Sequence, residues 1–267
     1  MTVTVFATDM DGTFLNSQND YDRLRFKKIF EEMQASGVRF VAISGNQYHQ
    51  IRSFFKDVED QMTIVGDNGA YIVEKGVLLK SLTISTDVIR QVIAFVEKEI
   101  PQSQLLLSGE KSAYVKTSMP QADKDYFKLY YHQFKEVPSF EMLPDDNFLK
   151  LSINIPPEKT DTINAYFNKA FPGQITGTSS GNGNIDLIAT GVHKGVALGY
   201  LLAKWGLSTD QLATFGDGGN DIEMLAMTDY SYAMANGSDK VKAVANFQAL
   251  SNDQSGVLTI IEDLLRK

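Results

Sequence analysis

Val3-Thr4-Val5-Phe6-Ala7-Thr8, running into Asp9-Met10-Asp11-Gly12-Thr13, decides the fold. Six residues of β-branched and apolar character stop abruptly at a polar cluster, the pattern of a buried strand entering a loop. Downstream, Tyr21 to Ser36 carries Leu24, Ile29, Phe30 and Met33 at helical spacing, and Gly37 is a natural stop. Val38 to Ile43 repeats the strand pattern and ends in Ser44-Gly45-Asn46. Tyr48 to Phe55 reads as a helix, and Met62 to Val65 as a third strand ending in Asp67-Asn68-Gly69. Strand, helix, strand, helix, strand predicts a parallel sheet with helical crossovers. Ligands bind such sheets at the carboxyl ends of the strands, where each of these polar clusters falls.

The middle of the chain differs. Helical stretches (Asp87 to Ile100, Ala122 to Phe134, Pro157 to Ala170) alternate with short runs at Ala113–Val115, Leu149–Ile155 and Gly183–Ile188. All seven prolines lie in this section. The parallel pattern then resumes with an amphipathic Lys194 to Trp205, a strand Leu212–Phe215 ending in Gly216-Asp217-Gly218-Gly219-Asn220-Asp221, a helix from Ile222, a short strand Tyr230–Met234 and a terminal helix from Val257. The expected architecture is α/β: a doubly wound, mostly parallel sheet formed by residues 1–81 and 188–267, with an α+β domain inserted at 82–187.

Composition limits the function. Hydrophobic residues make up 43% of the 267, enough for a sizeable core. The net charge of −8 offers no broad surface for a nucleic acid, whose backbone needs clustered Lys and Arg. A local pocket of one Lys and several backbone N–H groups can still hold a small phosphate. Cysteine is absent, which excludes disulfides, zinc-thiolate sites and thiol nucleophiles. No apolar stretch reaches membrane-spanning length and no signal peptide precedes the first strand, so a cytoplasmic location is expected and no membrane partner.

The chemistry resides at the strand ends. Asp9 and Asp11 can flank one site, one carboxylate attacking an electrophile and the other working as acid or base. A solvated turn fits the same residues, whereas the EF-hand calcium pattern is not matched, because Gly12 is fourth rather than sixth and Asp20 stands at the twelfth position in place of Glu. Ser44 and the N–H groups after it suit phosphate oxygens, or an ordinary helix N-cap. Lys194 alone reads as a surface lysine. The run from Gly216 to Asp221 packs two carboxylates and an amide around three glycines, a dense acidic turn suited to a hard cation such as Mg²⁺. His49, His132 and His193 lack zinc spacing, and Trp205 reads as helix-face core.

In order and spelling, DMDGT, SGN, the lysine and GDGGND resemble the four motifs of the haloacid dehalogenase-like phosphatases. TDMDGTFLN, SGNQY, DNGA, IDLI with GVHK, and GDGGNDIEML are most similar to the Cof-type branch and, within it, to bacterial sugar phosphatases. The resemblance implies Mg²⁺-dependent hydrolysis of a phosphate monoester through an aspartyl-phosphate. It implies Asp9 as nucleophile and metal ligand, and Asp11 as general acid/base with its carbonyl on the metal. The Met10 N–H, Ser44, the Gly45 N–H, Lys194 and Asn220 would bind phosphate. Asp217 would complete the metal ligands, and Asp221 would hold metal-bound water. Asn46 stands where many relatives carry Arg, leaving one less positive charge near the substrate. The insertion follows the second motif, the place of a C2 cap in this family, and its α+β character resembles the C2B form.

A small phosphorylated metabolite is the expected partner, a sugar or sugar-alcohol phosphate in particular, with the inserted domain controlling which esters are accepted. The polar run Thr178 to Asn184 is a candidate substrate-facing loop, or an exposed hairpin turn. A sugar phosphomutase using the same intermediate and a non-enzymatic sugar-phosphate sensor are the alternatives. The small first crossover disfavours the mutase, and the retained Asp9, Asp11, Lys194 and Asp217 disfavour the sensor.

Overall fold

The computed structural model describes residues 3–181 and 183–266, apart from the side chains at 179–181. The chain forms two compact units, Met1–Leu79 with His193–Lys267, and Lys80–Val192. The division falls at 79–80 and 192–193, beside the 81–82 and 187–188 expected from the sequence. At the second, the last strand of the inserted unit runs on to Ala189, which pairs with Ile175 and keeps the chain in that unit.

The first unit opens with β1 (Val5–Thr8), α1 (Arg23–Ala35), β2 (Arg39–Ile43), α2 (Tyr48–Phe54), β3 (Thr63–Gly66), β4 (Tyr71–Glu74) and β5 (Val77–Ser81). The Asp22 carboxylate caps α1 by accepting from the Arg25 N–H at 3.0 Å, and the chain leaves the helix through Gly37 at φ +69°. Phe26, Ile29, Phe30 and Met33 form the buried stripe of α1. Leu24, expected on that stripe, is 78% exposed, because Phe26 rather than Leu24 keeps the i, i+3, i+4, i+7 spacing.

The inserted unit comprises α3 (Thr86–Glu99), β6 (Gln104–Gly109), β7 (Ala113–Lys116), α4 (Gln121–Lys128), β8 (Phe134–Val137), β9 (Phe148–Asn154), α5 (Thr160–Ala170), β10 (Ile175–Gly181) and β11 (Asn184–Ala189). Its six strands lie in the order β10-β11-β9-β6-β7-β8, antiparallel except for β7 and β8. Ile89 and Val92 of α3 and Phe167 of α5 pack with Leu151, Ile153, Ile185 and Leu187. Phe127 of α4 packs with Leu106, Ala113, Val115 and Tyr131. The helix expected to reach Phe134 ends at Lys128. The polar run from Thr178 is the end of β10 and the turn into β11, with Gly183 at φ +83°; Asn182 lies outside the described residues.

The chain then completes the first unit with α6 (Lys194–Trp205), β12 (Leu212–Gly216), α7 (Ile222–Leu225), β13 (Tyr230–Met234), α8 (Asp239–Val244), β14 (Phe247–Ala249) and α9 (Gly256–Leu265). The eight-stranded sheet has the order β14-β13-β12-β1-β2-β3-β4-β5. The strands from β14 to β3 are parallel, and β4 turns back antiparallel on β3. Both faces of β1 are covered, which is why its sequence is a continuous apolar run. Phe6 packs on one side with Phe30, Met33, Phe40 and Phe215, while Val5 and Ala7 pack on the other with Val41, Leu198 and Leu201. Truncating a ring such as Phe40 to alanine costs about 3–5 kcal/mol in a core of this kind.

This topology sets the site. From β1 the chain winds outward through β2 and β3, and from β12 it winds the opposite way through β13 and β14. The winding reverses between β1 and β12, and loops leaving neighbouring strands at such a switch point diverge and open a crevice. No helix among the described residues is long and apolar enough to cross a membrane.

Candidate active site

The Asp9 N–H donates to the Phe215 carbonyl at 3.0 Å, continuing the β1–β12 ladder by one bond. The chain then opens into a wide turn, in which Phe14 N–H bonds the Asp9 carbonyl at 3.2 Å and Leu15 N–H the Met10 carbonyl at 2.8 Å. Gly12 sits inside this turn at φ +71°. A Cβ there would lie 2.5 Å from Asp217 Oδ2, so glycine serves both the left-handed backbone and the approach of that carboxylate. Thr13 Oγ donates to Asp217 Oδ1 at 2.9 Å, and Asn236 Nδ2 to the Gly12 carbonyl at 2.7 Å. The loop after β1 is thus tied to the loops after β12 and β13.

Lys194 is the first residue of α6, and His193 caps that helix by accepting from the Val196 N–H at 3.4 Å. Far from lying on the surface, Lys194 is fully buried, because the apolar face of α6 presses its first turn against the sheet. Its Nζ donates to Asp9 Oδ1 at 2.5 Å and to Asp221 Oδ1 at 2.6 Å. A buried ammonium costs several kcal/mol in lost hydration, and two carboxylates on one Nζ offset it.

Asp221 is fully buried and fully engaged. Its Oδ2 accepts from the N–H groups of Asp217 and Gly218, each at 3.0 Å. A Cβ on Gly216 would lie 2.5 Å from Asp221 Cβ, so this glycine makes room for the folded-back carboxylate. Asp221 thereby braces the turn that carries Asp217, and it orients Lys194.

The loop after β2 completes the cluster. Asn46 Nδ2 donates to Asp11 Oδ2 at 2.6 Å. Ser44 is buried, and its Oγ accepts from the Asn46 N–H at 3.2 Å. Since α2 begins at Tyr48 with Gln47 at its cap position, Ser44 is not the N-cap of that helix. Asn220 lies on the exposed turn before α7 and donates to Asn68 Oδ1 at 3.0 Å. The side chains of Asp9, Asp11, Lys194, Asp217 and Asp221 therefore interact in one cluster, the Ser44–Asn46 loop joins it through Asn46, and Asn220 is linked to the end of β3.

The electrostatics follow from crowding. Burial raises the Asp9 carboxyl well above the usual carboxylate range; the Lys194 ammonium pulls the other way, and Asp221, Asp217 and Asp11 add repulsion. Burial likewise raises Asp11, against the Asn46 hydrogen bond and Lys194. Asp217 is raised by burial, with the Thr13 hydroxyl opposing and Asp221 reinforcing. Burial alone would lower Lys194, but Asp221 and Asp9 outweigh it and hold the ammonium above its ordinary range. Repelling carboxylates of this kind call for an additional cation.

The donor set fits one. Carboxylate oxygens of Asp9, Asp217 and Asp221 lie within 4.8 Å of one another. Both Asp221 oxygens already accept hydrogen bonds, and one oxygen each of Asp9 and Asp217 does so. Oδ2 of Asp9 and of Asp217 remain for a metal, an all-oxygen set of the kind a hard divalent cation prefers.

Sequence reasoning passed over Thr13, Asn68 and Asn236 as site residues and gave Asn46 no partner. Thr13 lies within the DMDGT motif, and Asn68 within the polar end of β3, so both carried a positional signal. Asn236 carried none.

This constellation at the switch point of a doubly wound sheet defines a phosphate-monoester hydrolase. The profile of the haloacid dehalogenase-like hydrolases matches residues 6–261, and the chain belongs to that family. It is 36% identical over 266 residues to the 5-amino-6-(5-phospho-D-ribitylamino)uracil phosphatase YbjI of Escherichia coli (strain K12), covering 100% of this chain and 97% of that relative. A phosphatase of the same description from Bacillus subtilis (strain 168), YwtE, is 26% identical over 284 residues and 97% of each chain. Among solved structures, SMU.1108c from Streptococcus mutans UA159 matches with a TM-score of 0.94 at 43% identity, covering 99% of this chain and 100% of that one.

Proposed function

We propose that the chain hydrolyses small phosphate monoesters whose leaving group is a sugar or polyol hydroxyl, with Asp9 as nucleophile and Mg²⁺ as cofactor. The observation that carries this reading is the buried Lys194 ammonium shared by Asp9 and Asp221. It holds the Asp9 carboxylate in place through Oδ1. A carboxylate oxygen of Asp9 forms a bond to phosphorus as the ester P–O bond breaks, and the departing alkoxide takes the proton of Asp11. Asp11 then removes a proton from water, whose oxygen attacks the phosphorus of the acyl phosphate, releasing phosphate and restoring Asp9. The raised Asp11 suits the first of these steps, since the proton must be present before it can be given.

Asp9, Asp217 and the Asp11 carbonyl would hold Mg²⁺, which when bound offsets the negative charge of nucleophile and phosphate. Ser44, the Met10 and Gly45 N–H groups, Lys194 and Asn220 would bind the phosphate oxygens. The substrate class is supported by the two relatives named for a ribitylamino phosphate, in which the phosphate is carried by a polyol chain. The net charge of −8 gives a polyanionic partner no long-range attraction. A panel of sugar, sugar-alcohol and ribitylaminouracil phosphates, nucleotides, phosphopeptides and pyridoxal phosphate tests the class. The highest kcat/KM is expected among the polyol and sugar esters; a clear advantage for any other ester would overturn the substrate class and leave the phosphatase chemistry standing.

A further inference from the structure

We propose that Asn68, at the end of β3, is the positioning residue for phosphate binding, acting by holding the Asn220 amide. This inference rests on the reading of Asn220 as a phosphate contact and extends it to a residue outside the four motifs.

Three observations lead there. First, Asp67, Asn68 and Gly69 have φ of +49°, +57° and +106°, three successive left-handed residues. A side chain rarely tolerates that conformation, and Asn is among the few that do. Strained backbone of this sort persists only where its surroundings over-determine it. Second, those surroundings are the phosphate-binding loops. The Asp67 and Asn68 N–H groups donate to the carbonyls of Asn46 at 2.9 Å and Ser44 at 3.0 Å. A Cβ on Gly45 would meet the Asn68 amide at 3.1–3.4 Å, and one on Gly69 would meet the His193 carbonyl at 2.8 Å. The segment thus touches the Ser44–Asn46 loop and the residue preceding Lys194.

Third, the Asn68 side chain is buried, whereas Asn220 is exposed on a short turn. Asn220 donates one amide hydrogen to Asn68 Oδ1 at 3.0 Å, which leaves its second N–H for a ligand. An untethered amide on an exposed turn samples several rotamers. A tether to a rigid, buried acceptor selects one, so part of the ordering that phosphate binding requires is complete beforehand.

The test uses the Mg²⁺-loaded enzyme and inorganic phosphate as competitive inhibitor. Asn68→Gly removes the amide while suiting φ +57°, so the backbone is retained and the thermal midpoint should not fall. Expected is a rise of about threefold to tenfold in both the phosphate inhibition constant and KM, with kcat changed less, as for loss of one neutral hydrogen bond. Asn220→Ala should give at least the same rise, and the double variant should be no worse than Asn220→Ala alone. Unchanged phosphate inhibition in Asn68→Gly alongside a loss in Asn220→Ala would overturn the positioning role and leave Asn220 as a phosphate contact. Losses that multiply in the double variant would overturn it too, since Asn68 would then act independently. No loss in Asn220→Ala would remove the phosphate contact itself and the inference with it.

Discussion

The Asn46 side chain donates to Asp11 Oδ2 at 2.6 Å, linking the loop after β2 to the proposed general acid. This bond favours the ionised form of Asp11 and so opposes the upward push of burial. A position expected only to lack a positive charge thus carries a direct partner of the proposed proton-transfer group.

Asn46→Ala should therefore lower kcat about tenfold, the effect of removing one hydrogen bond to a charged group. The sign of the pH effect follows from the same bond. Losing a donor that favours the charged carboxylate raises the Asp11 pKa further. The alkaline limb of kcat/KM, which reports a group that must be protonated, should move to higher pH. A pH–rate profile of both proteins checks the direction; a limb that stays put or moves to lower pH would contradict the assignment.

Lys194→Met should abolish turnover by several orders of magnitude and also weaken the fold, because Asp9 and Asp221 both lose their ammonium in a buried setting. Removing one partner of a buried ion pair costs about 3–5 kcal/mol. Urea unfolding in EDTA should show this loss at neutral pH and a smaller one in acid, where Asp9 can take up a proton.

Asp217→Asn should stabilise the metal-free protein. Burial raises the Asp217 pKa, so the folded state binds this proton more tightly than the unfolded state does. The contribution is fully present below the unfolded pKa and is lost as pH rises through the folded one. In EDTA at pH 8 the Asn variant should thus melt higher, by roughly 2–4 °C per kcal/mol recovered, with the difference vanishing near pH 4. Added Mg²⁺ should raise the wild-type midpoint and move the variant little. Equal midpoints at pH 8 without metal would show that Asp217 is not held under repulsion.

The core strands were legible because each is buried on both faces, which leaves an apolar run broken by polar residues at its carboxyl end. Lys194 was not legible alone, since its burial depends on how α6 lies on the sheet. The helix expected to run to Phe134 was misjudged because Phe127, Tyr130, Tyr131 and Phe134 continue a helical spacing after the chain has left α4 at Lys128. Strand β10 was missed because its Thr-Ser-Gly composition reads as a turn. The Asn46–Asp11 and Asn220–Asn68 bonds join loops far apart in sequence. No periodicity reports such pairs; only the register of β1, β2, β3 and β12 brings them together.

The central claim is covalent catalysis by Asp9, and its most direct test is rapid acid quenching during turnover of a good substrate, followed by mass spectrometry of the proteolysed enzyme. A phosphoryl group is expected on the peptide containing Asp9, at a level that rises and decays with turnover, and absent in Asp9→Asn, which should be inactive though folded. Normal turnover with no phosphorylated peptide at any quench time, or near-normal kcat in Asp9→Asn, would contradict it.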